Sequence, residues 1–400
     1  MGKLIDLLYG RGAMKYETNE SFQLLFKCWS LVGVKPLKPY RFGRLLHIGV
    51  CWFLLLLCPL TFSMGYLQTL KTEPIALQLS LLQTAFNAIG VPVKTIAIVI
   101  MRTHFRKVEQ IFVRLDERYQ SVSSRQQIKK CVVLSTRIFT TVGFVFHFYG
   151  SITYLQAFFT NSYPLHTWLP FIDSISQPTI RYWTHFIFEV FHIVFILTVQ
   201  ITLDSFPAIY IRNLRTHLIL LTERVSHLGE NPEFTEKQNY DELVDCIVTH
   251  QQLLEAKNII GSVCSITIFI QFIVVAIALC ISLLNFFVFA DSVQQAVTLI
   301  YYLGVILQIM PTCYQASMIE DDSAKLPDAI FHCNWLAMDK HSRKLIIYFL
   351  HRAQVDITFV ALKLFKINLT TNLSIVKFGF TLYTFMSNMG IGQNLKELLE

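Results

Sequence analysis

The sequence contains few charged residues: Asp, Glu, Lys and Arg make up 15% of its 400 residues, against about 25% in an ordinary soluble domain. It also lacks the motifs of common enzyme sites, since no G-x-x-x-x-G-K, G-x-S-x-G, H-E-x-x-H or C-x-x-C pattern occurs. We therefore expect no enzyme, no cofactor and no metal site. The net charge of +7 does not indicate nucleic acid, because in a membrane protein basic residues mark the cytosolic side.

No long apolar run occurs before Leu45, so we expect no secretory signal peptide in this chain. Hydrophobic residues make up 53% of the sequence, and the mean hydropathy is +0.47. A helix that crosses a bilayer needs about 20 apolar residues. Stretches of that kind cover residues 45–67, 75–101, 131–159, 182–211, 262–289, 295–318 and 369–390. The sequence predicts an all-α membrane protein with seven transmembrane helices.

The basic residues are distributed very unevenly between the segments that connect these helices. Of the 34 Lys and Arg residues, 28 lie in segments 1–44, 102–130, 212–261 and 319–368. The alternate segments, 68–74, 160–181, 290–294 and 391–400, contain only three. This asymmetry predicts a cytosolic N-terminus and an extracellular C-terminus, which is the reverse of a G-protein-coupled receptor.

The segments outside the predicted helices differ in character. Residues 160–181 contain three prolines and several aromatic residues, and we expect them to fold back as an outer cap. Residues 237–260 and 335–366 each predict an amphipathic helix on the cytosolic side. Two interpretations stay open for these helices: a cytosolic packing layer, or helices that lie on the lipid headgroups.

The last predicted transmembrane helix carries one polar stripe. Its members recur at spacings of three or four residues and fall within about 80° of arc on a helix. They are Thr370, Ser374, Lys377, Thr381, Thr384 and Asn388. The stripe predicts either a pore lining, which requires an oligomer, or a seam between packed helices.

The fourth predicted helix carries a second stripe, formed by His185, Glu189 and His192, with Gln200 further along. A carboxylate inside the membrane faces the bundle interior or a cavity, so we consider a ligand cavity or hydrogen bonding between helices. A metal site is a weaker third interpretation. Aromatic residues, Tyr149 and Tyr154 among them, gather at the same depth. Each aromatic taken singly is more typical of core packing, whereas their gathering is typical of a pocket for small apolar ligands. The predicted pocket residues are Phe86, Phe144, His147, Phe148, Glu189, His192, Tyr301 and Tyr302.

The region from Cys333 to Asn388 resembles the insect odorant receptors. The resemblance is carried by Asn334-Trp335, by Arg343-Lys344-Leu345-Ile346, by Arg352-Ala353-Gln354, and by Thr370 to Thr384 with Lys377, Tyr383 and Thr384. The family often has Ser-Tyr-Ser where this chain has Gly379-Phe380-Thr381. In outline the whole chain is similar to the family in length, in its seven predicted helices and in its orientation.

The resemblance implies a ligand-gated, non-selective cation channel in the plasma membrane of a sensory neuron dendrite. It implies that a tuning subunit of this kind binds a small volatile molecule and assembles with a shared co-receptor into a tetramer. The odorant pocket would lie in the outer half, among the second to sixth helices. The cytosolic helices would form the main contact between subunits. The last helix of each subunit would line the pore, and its gate candidates here are Leu382, Phe385 and Met386.

Together these expectations divide the chain into five parts: a cytosolic segment (1–44), six helices with a ligand pocket in their outer half (45–318), a cytosolic helical anchor (319–368), a pore helix (369–390) and a short extracellular tail (391–400). Two alternatives to the odorant receptor remain. One is a gustatory-type receptor channel, and the other is a seven-helix G-protein-coupled chemoreceptor. A transporter is less compatible, because it would usually show matching internal repeats.

Overall fold

The structure, a computed structural model, describes residues 16–34, 42–70 and 72–390. The predicted extracellular tail, 391–400, lies outside the described residues, and so does much of the predicted N-terminal segment. In the part that is described, nearly all regular structure is helical, which confirms the predicted all-α class.

We number the α-helices of the described residues in chain order. They are α1 (Gln23–Leu31), α2 (Phe42–Thr69), α3 (Ile75–Ile100), α4 (Arg102–Arg118), α5 (Val122–Thr160), α6 (Pro170–Asp173), α7 (Pro178–Ser226), α8 (Glu236–Leu284), α9 (Ser292–Ser323), α10 (Lys325–His332), α11 (Lys340–Ala353) and α12 (Leu369–Asn388). Short 3₁₀ turns cover Thr18–Phe22 and Trp335–Ala337, and a π turn covers Asn285–Phe289. Strands β1 (Val360–Ala361) and β2 (Phe365–Lys366) pair antiparallel.

Among the described residues, six helices are long and apolar enough to cross a membrane: α2, α3, α5, α7, α8 and α9. They coincide with the first six predicted transmembrane helices. The seventh prediction, 369–390, coincides with α12, which has 20 residues but does not belong to this group. Its hydroxyl residues and Lys377 lower its mean hydropathy, so its passage through the membrane stays a prediction.

Helices α7 and α8 extend far beyond the thickness of a bilayer. Each has 49 residues and is therefore about 73 Å long, whereas the hydrocarbon core measures roughly 30 Å. The predicted helix 237–260 does run without a break into the fifth transmembrane helix, as α8. A capping box begins α8, because the Thr235 hydroxyl accepts a hydrogen bond from the Gln238 backbone and the Gln238 side chain accepts one in return.

The predicted helix 335–366 is wrong beyond Ala353. Helix α11 ends there, and the chain continues as an extended segment into β1 and β2. Residues 355–360 contain several β-branched side chains, which favour extended backbone. Ile357 and Phe359 of this segment are buried, so their packing adds to that preference.

The extensions of α7 and α8 build a large core with the N-terminal segment and α4. Phe22 lies at its centre, fully buried, with its ring 4.2 Å from that of Tyr210 and 6.0 Å from that of Phe112. Leu243 of α8 and Phe349 of α11 belong to the same cluster. The amphipathic helices therefore pack together in this structure, as the packing-layer interpretation expects, while a role between subunits stays a prediction.

A buried polar cluster ties three segments of this core together. The backbone N–H of Thr18 donates to Asp116 Oδ2 at 2.8 Å, and its hydroxyl donates to Asp116 Oδ1 at 2.7 Å. Since that hydroxyl proton is used, His217 Nε2 donates to Thr18 Oγ1 at 3.0 Å. Burial, together with the charge of Arg125, lowers the pKa of His217 to about 3. Burial also raises the pKa of Asp116, although the hydrogen bonds from Thr18 oppose this effect.

The cluster predicts that acid destabilises the protein through His217. The folded state keeps this ring neutral, whereas the unfolded chain takes up a proton below its ordinary pKa of about 6.5. The free energy of unfolding should therefore fall as the pH drops below about 6.5, by up to about 1.4 kcal/mol per pH unit. The measurement is the thermal midpoint of the detergent-solubilised protein between pH 7.5 and 5.

The matched variant is His217→Gln, which should lose less stability over the same pH range. Comparing it with the parent protein removes the opposing contribution of Asp116, whose raised pKa favours the folded state at low pH. It also removes the contribution of other groups, such as His250, whose pKa burial lowers to about 4. Parallel curves for the two proteins would contradict the assignment to His217.

Candidate ligand cavity and pore helix

An apolar cavity of about 350 Å³ lies within the helix bundle. Its walls come from α2, α3, α5, α7 and α9, and Leu165 of the connecting loop also lines it. The volume falls within the usual range of small-ligand sites, about 300–1,000 Å³. The resemblance implies a pocket among the second to sixth transmembrane helices. This cavity differs from that set in two ways: the first helix contributes Cys58 and Phe62, and the fifth contributes no residue to the lining.

Three of the predicted pocket residues, Phe144, Phe148 and Tyr301, line this cavity. The rings of Phe144 and Phe148 stack 5.8 Å apart, and both side chains are exposed, by 69% and 54%. Leu303 and Leu307 of α9 are also exposed lining residues. The cavity therefore opens between α5 and α9, with an apolar rim.

The other predicted pocket residues lie outside the lining. They are Phe86, His147, Glu189, His192 and Tyr302. Tyr302 packs against the main core. The lining also contains Tyr149, Tyr154 and Gln200. The sequence places the two tyrosines at the depth of the pocket and Gln200 along the second stripe, but none of the three is among the eight predicted pocket residues. Gln200 lies eleven residues after Glu189, which is about three turns along the same face of α7, so the helical period continues the predicted stripe to the cavity.

The carboxylate of Glu189 is hydrogen-bonded to the loop that precedes α7. Its Oε1 accepts hydrogen bonds at 2.7 Å from both the backbone N–H and the hydroxyl of Thr167, and Oε2 accepts one from the N–H of Leu165 at 3.1 Å. The carboxylate is almost completely buried. A carboxylate that accepts bonds from backbone N–H groups stabilises the loop conformation, so Glu189 anchors the expected outer cap instead of facing the cavity.

The two histidines of the same stripe bond to backbone carbonyl groups. His185 Nε2 donates to Thr167 O at 3.0 Å, and His192 Nε2 donates to Leu54 O of α2 at 3.1 Å. Within residues 16–34, 42–70 and 72–390, no group of three or more His, Cys, Asp and Glu side chains could hold a metal ion. Of the three interpretations of this stripe, the contacts favour hydrogen bonding between segments.

The same loop approaches α2 very closely at Gly65. A Cβ atom at this position would lie 2.1 Å from the carbonyl oxygen of His166, so a larger residue would push the loop away. Next to it, the N–H of Trp168 donates to the Thr61 carbonyl at 3.0 Å. The loop is thus held against both α2 and α7, as expected for a cap.

Few polar groups face the cavity. Asn87 Nδ2 donates to Tyr301 Oη at 2.8 Å, which leaves the hydroxyl proton of Tyr301 free for another acceptor. The hydroxyl of Tyr154 is buried and has no partner among the described residues. A mostly apolar cavity with a few polar groups is the usual composition of a site for a small organic molecule.

One side of helix α12 packs on α8 and α9, and its polar stripe faces away from them. Gly379 is buried, and a Cβ atom there would lie 3.0 Å from Leu279 Cβ. All six stripe residues are exposed except Thr384, which is half-buried. The stripe is therefore no seam within this chain. Its exposure is compatible with a pore lining and with a contact between subunits.

The hydroxyl groups of the stripe donate to their own helix. Ser374 Oγ donates to Thr370 O at 2.9 Å, Thr381 Oγ1 donates to Lys377 O at 2.9 Å, and Thr384 Oγ1 donates to Thr381 O at 2.8 Å. Each hydroxyl thereby presents its oxygen, an acceptor, to whatever lies beside the stripe.

The three gate candidates occupy different positions on α12. Leu382 and Met386 are half-buried, and the Met386 sulfur lies 3.8 Å from Cys280 Sγ of α8. Phe385 is exposed. Their role in gating stays a prediction.

The contacts of Glu189 predict that Glu189→Gln loosens the cap. The amide has one oxygen acceptor in place of two and no charge, so the variant should lose roughly 1–3 kcal/mol of stability. The amides of Leu165 and Thr167 should then exchange with deuterium faster in detergent or nanodiscs. Glu233→Gln, at an exposed position, is the control. Unchanged exchange at both amides in the Glu189 variant would contradict the anchoring role.

Comparison with known proteins identifies the family. Residues 75–380 match the family model described as 7tm Odorant receptor. The chain is 32% identical to odorant receptor 43b of Drosophila melanogaster over 85% of both chains, and 31% identical to odorant receptor 42a of the same species over 93% of this chain and 92% of the relative.

Solved structures agree with this result at the level of the fold. The insect olfactory receptor OR5 from Machilis hrabei matches with a TM-score of 0.72 and 16% sequence identity, over 95% of this chain and 99% of that one. The same receptor in complex with eugenol matches with a TM-score of 0.70. With the family model covering most of its length, the chain is a multi-pass membrane protein that belongs to the insect odorant receptor family.

Proposed function

We propose that this chain is the tuning subunit of a ligand-gated, non-selective cation channel in the plasma membrane. It binds a small volatile molecule in the cavity between α2, α3, α5, α7 and α9, and it contributes α12 to a pore shared with a co-receptor subunit. The observation that carries the proposal is the apolar, aromatic-lined cavity of about 350 Å³ in a chain of the odorant receptor family. The complex of Machilis hrabei OR5 with eugenol supports a small organic ligand.

The cavity supplies affinity mainly through burial. Aromatic and aliphatic side chains dominate its walls, and each square ångström of apolar ligand surface removed from water contributes about 25 cal/mol. The opening between α5 and α9 has an apolar rim at Phe144, Phe148 and Leu303. Apolar molecules dissolved in the bilayer therefore have a direct route into the site.

The exposed stripe of α12 supports a pore that several subunits enclose. One helix cannot surround a channel, so the function requires an oligomer with the co-receptor. The hydroxyl oxygens of Ser374, Thr381 and Thr384 accept while their protons bond to the helix, and outward-facing oxygen acceptors suit the passage of hydrated cations. Lys377 opposes cations, and a mixed oligomer contains fewer copies of it.

Helix α9 provides a physical link between cavity and pore. Near one end it lines the cavity with Tyr301 and Leu303, and near the other the Ser317 hydroxyl accepts a hydrogen bond from the N–H of Leu369, the first residue of α12, at 2.9 Å. A ligand that fits the open arrangement of α9 better than the closed one shifts the equilibrium toward the open channel.

The test of the cavity is electrical. In cells with G-protein signalling blocked, odorants should evoke a fast cation current only when the chain is expressed together with the insect co-receptor. Phe148→Ala should raise the half-maximal concentration of an activating odorant by about tenfold, since it removes apolar contact worth roughly 1.4 kcal/mol. Phe159→Ala is the matched control, because Phe159 is an exposed residue of the same helix outside the cavity.

Two outcomes contradict this part of the proposal. A current that needs G-protein signalling would favour the G-protein-coupled alternative. Equal shifts in half-maximal concentration for Phe148→Ala and Phe159→Ala would show that the ligand does not bind in the cavity.

The test of the pore uses a cysteine in the stripe. The nine native cysteines are buried or half-buried, so their background reactivity should be low. Thr381→Cys should let a charged, water-soluble methanethiosulfonate reduce the odorant-evoked current by more than about half, because a thiol in the pore is wet and the added group blocks cations. Phe378→Cys, exposed beside the stripe, should be much less sensitive. Equal sensitivity of both variants would favour a subunit contact at the stripe.

A further inference from the structure

A buried ion pair with three glutamines lies beneath the cavity. Lys94 Nζ of α3 donates to Asp204 Oδ1 of α7 at 3.2 Å and to Gln271 Oε1 of α8 at 2.5 Å. Both charged side chains are 3% exposed. Gln200 of α7 and Gln308 of α9 complete the cluster, so it joins four of the helices that cross the membrane. Charges at this depth are costly unless each is fully paired.

The hydrogen bonds of this cluster determine which way two amides point. Asp204 Oδ2 accepts from Gln200 Nε2 at 2.7 Å and from Gln308 Nε2 at 2.6 Å. A carboxylate paired with an ammonium group has no proton to donate, so each amide must turn its NH₂ group toward it. The carbonyl oxygens of Gln200 and Gln308 are therefore directed away from the carboxylate.

Gln200 and Gln308 also line the ligand cavity. Gln200 is only 6% exposed, and its Oε1 is buried without a hydrogen-bond partner among the described residues. A buried acceptor without a donor is unfavourable, and a ligand that brings a donor removes this penalty. Unlike the hydroxyl of Tyr154, which can donate as well as accept, this oxygen can only accept.

We infer that the cavity selects small apolar molecules that carry a hydroxyl group, with Gln200 Oε1 as the acceptor of the ligand's hydroxyl proton and with Lys94 and Asp204 as positioning residues for that amide. This inference rests on the proposed function, since it concerns the same cavity. An alcohol satisfies Gln200 and can still accept from Tyr154 or Tyr301. An ether or a ketone of the same size can accept from the tyrosines but leaves Gln200 unpaired.

The first experiment compares heptanol, methyl hexyl ether and heptan-2-one, which have equal numbers of heavy atoms, on the chain expressed with its co-receptor. The half-maximal concentration of heptanol should be lower than that of the other two by about tenfold or more, because a site built to accept a hydroxyl rejects analogues without one. Gln200→Met, of similar size but apolar, should abolish this preference while the response to the ether persists.

The control for the substitution is Gln315→Met. Gln315 of α9 is buried and its Oε1 also has no partner among the described residues, but it does not line the cavity. This variant should keep the preference for heptanol. The persisting response to the ether and the amount of receptor at the cell surface show that the Gln200 variant is folded.

The positioning role is tested with Asp204→Asn. The new carboxamide can donate, so the amide of Gln200 is free to rotate, and the ratio between the half-maximal concentrations of ether and alcohol should fall toward one. If Asp204→Asn only weakened the structure, the half-maximal concentrations of ether and alcohol would rise together and their ratio would stay unchanged. That result would overturn the positioning role.

The remaining outcomes separate the two proposals. If ether and ketone activate as well as heptanol, or if Gln200→Met shifts all three ligands equally, the selectivity for hydroxyl groups is overturned while the currents still support a ligand-gated channel. If a receptor delivered to the cell surface responds to none of these ligands nor to a broader odorant panel, the proposed function itself is contradicted.

Discussion

The two 49-residue helices α7 and α8 are longer than the membrane is thick, and most of the chain packs against them. Inside the bilayer they form walls of the helix bundle, because only helices satisfy their backbone groups there. Beyond it, the same two helices meet the N-terminal turn, α4 and α11 around Phe22 and Tyr210. Helix α7 therefore connects the cavity directly with the core around Phe22, and α8 runs from the helix bundle into the same core without a break.

Several charged groups in the membrane-spanning part have specific partners. Glu189 holds the loop that caps the cavity, and Lys94 with Asp204 holds the amides at its floor. Unpaired polar groups are costly in a low-dielectric interior. Gln200 Oε1 lines the cavity, can only accept, and has no partner among the described residues, so the proposed ligand preference depends on it. In the proposed mechanism, the apolar walls supply the affinity for the ligand, and the buried ion pair acts through the orientation of one amide.

The site was only partly predictable, for a geometric reason. Helical periodicity shows which residues share a face, as in the stripes of α7 and α12, but it does not show the rotation of the helix in the bundle. Glu189 and His192 were predicted at a suitable depth, yet they face the cap loop and α2. Phe148 and Phe144 do line the cavity, and their role in ligand binding stays a prediction. The contribution of α2 through Phe62 could not be anticipated without knowing which helices are neighbours.

Several features follow from the sequence alone. Low charge and long apolar runs indicate membrane-spanning helices, because a helix satisfies all of its backbone hydrogen bonds within lipid. The motif around Asn334 and Thr370 indicated the family that the comparisons identify. Tertiary structure decided the rest. It determines where α11 ends and β1 begins and which side of α7 faces the cavity. It also brings Lys94 of α3 into contact with Asp204, 110 residues away. These outcomes depend on contacts between residues far apart in the chain, and no local pattern encodes such contacts.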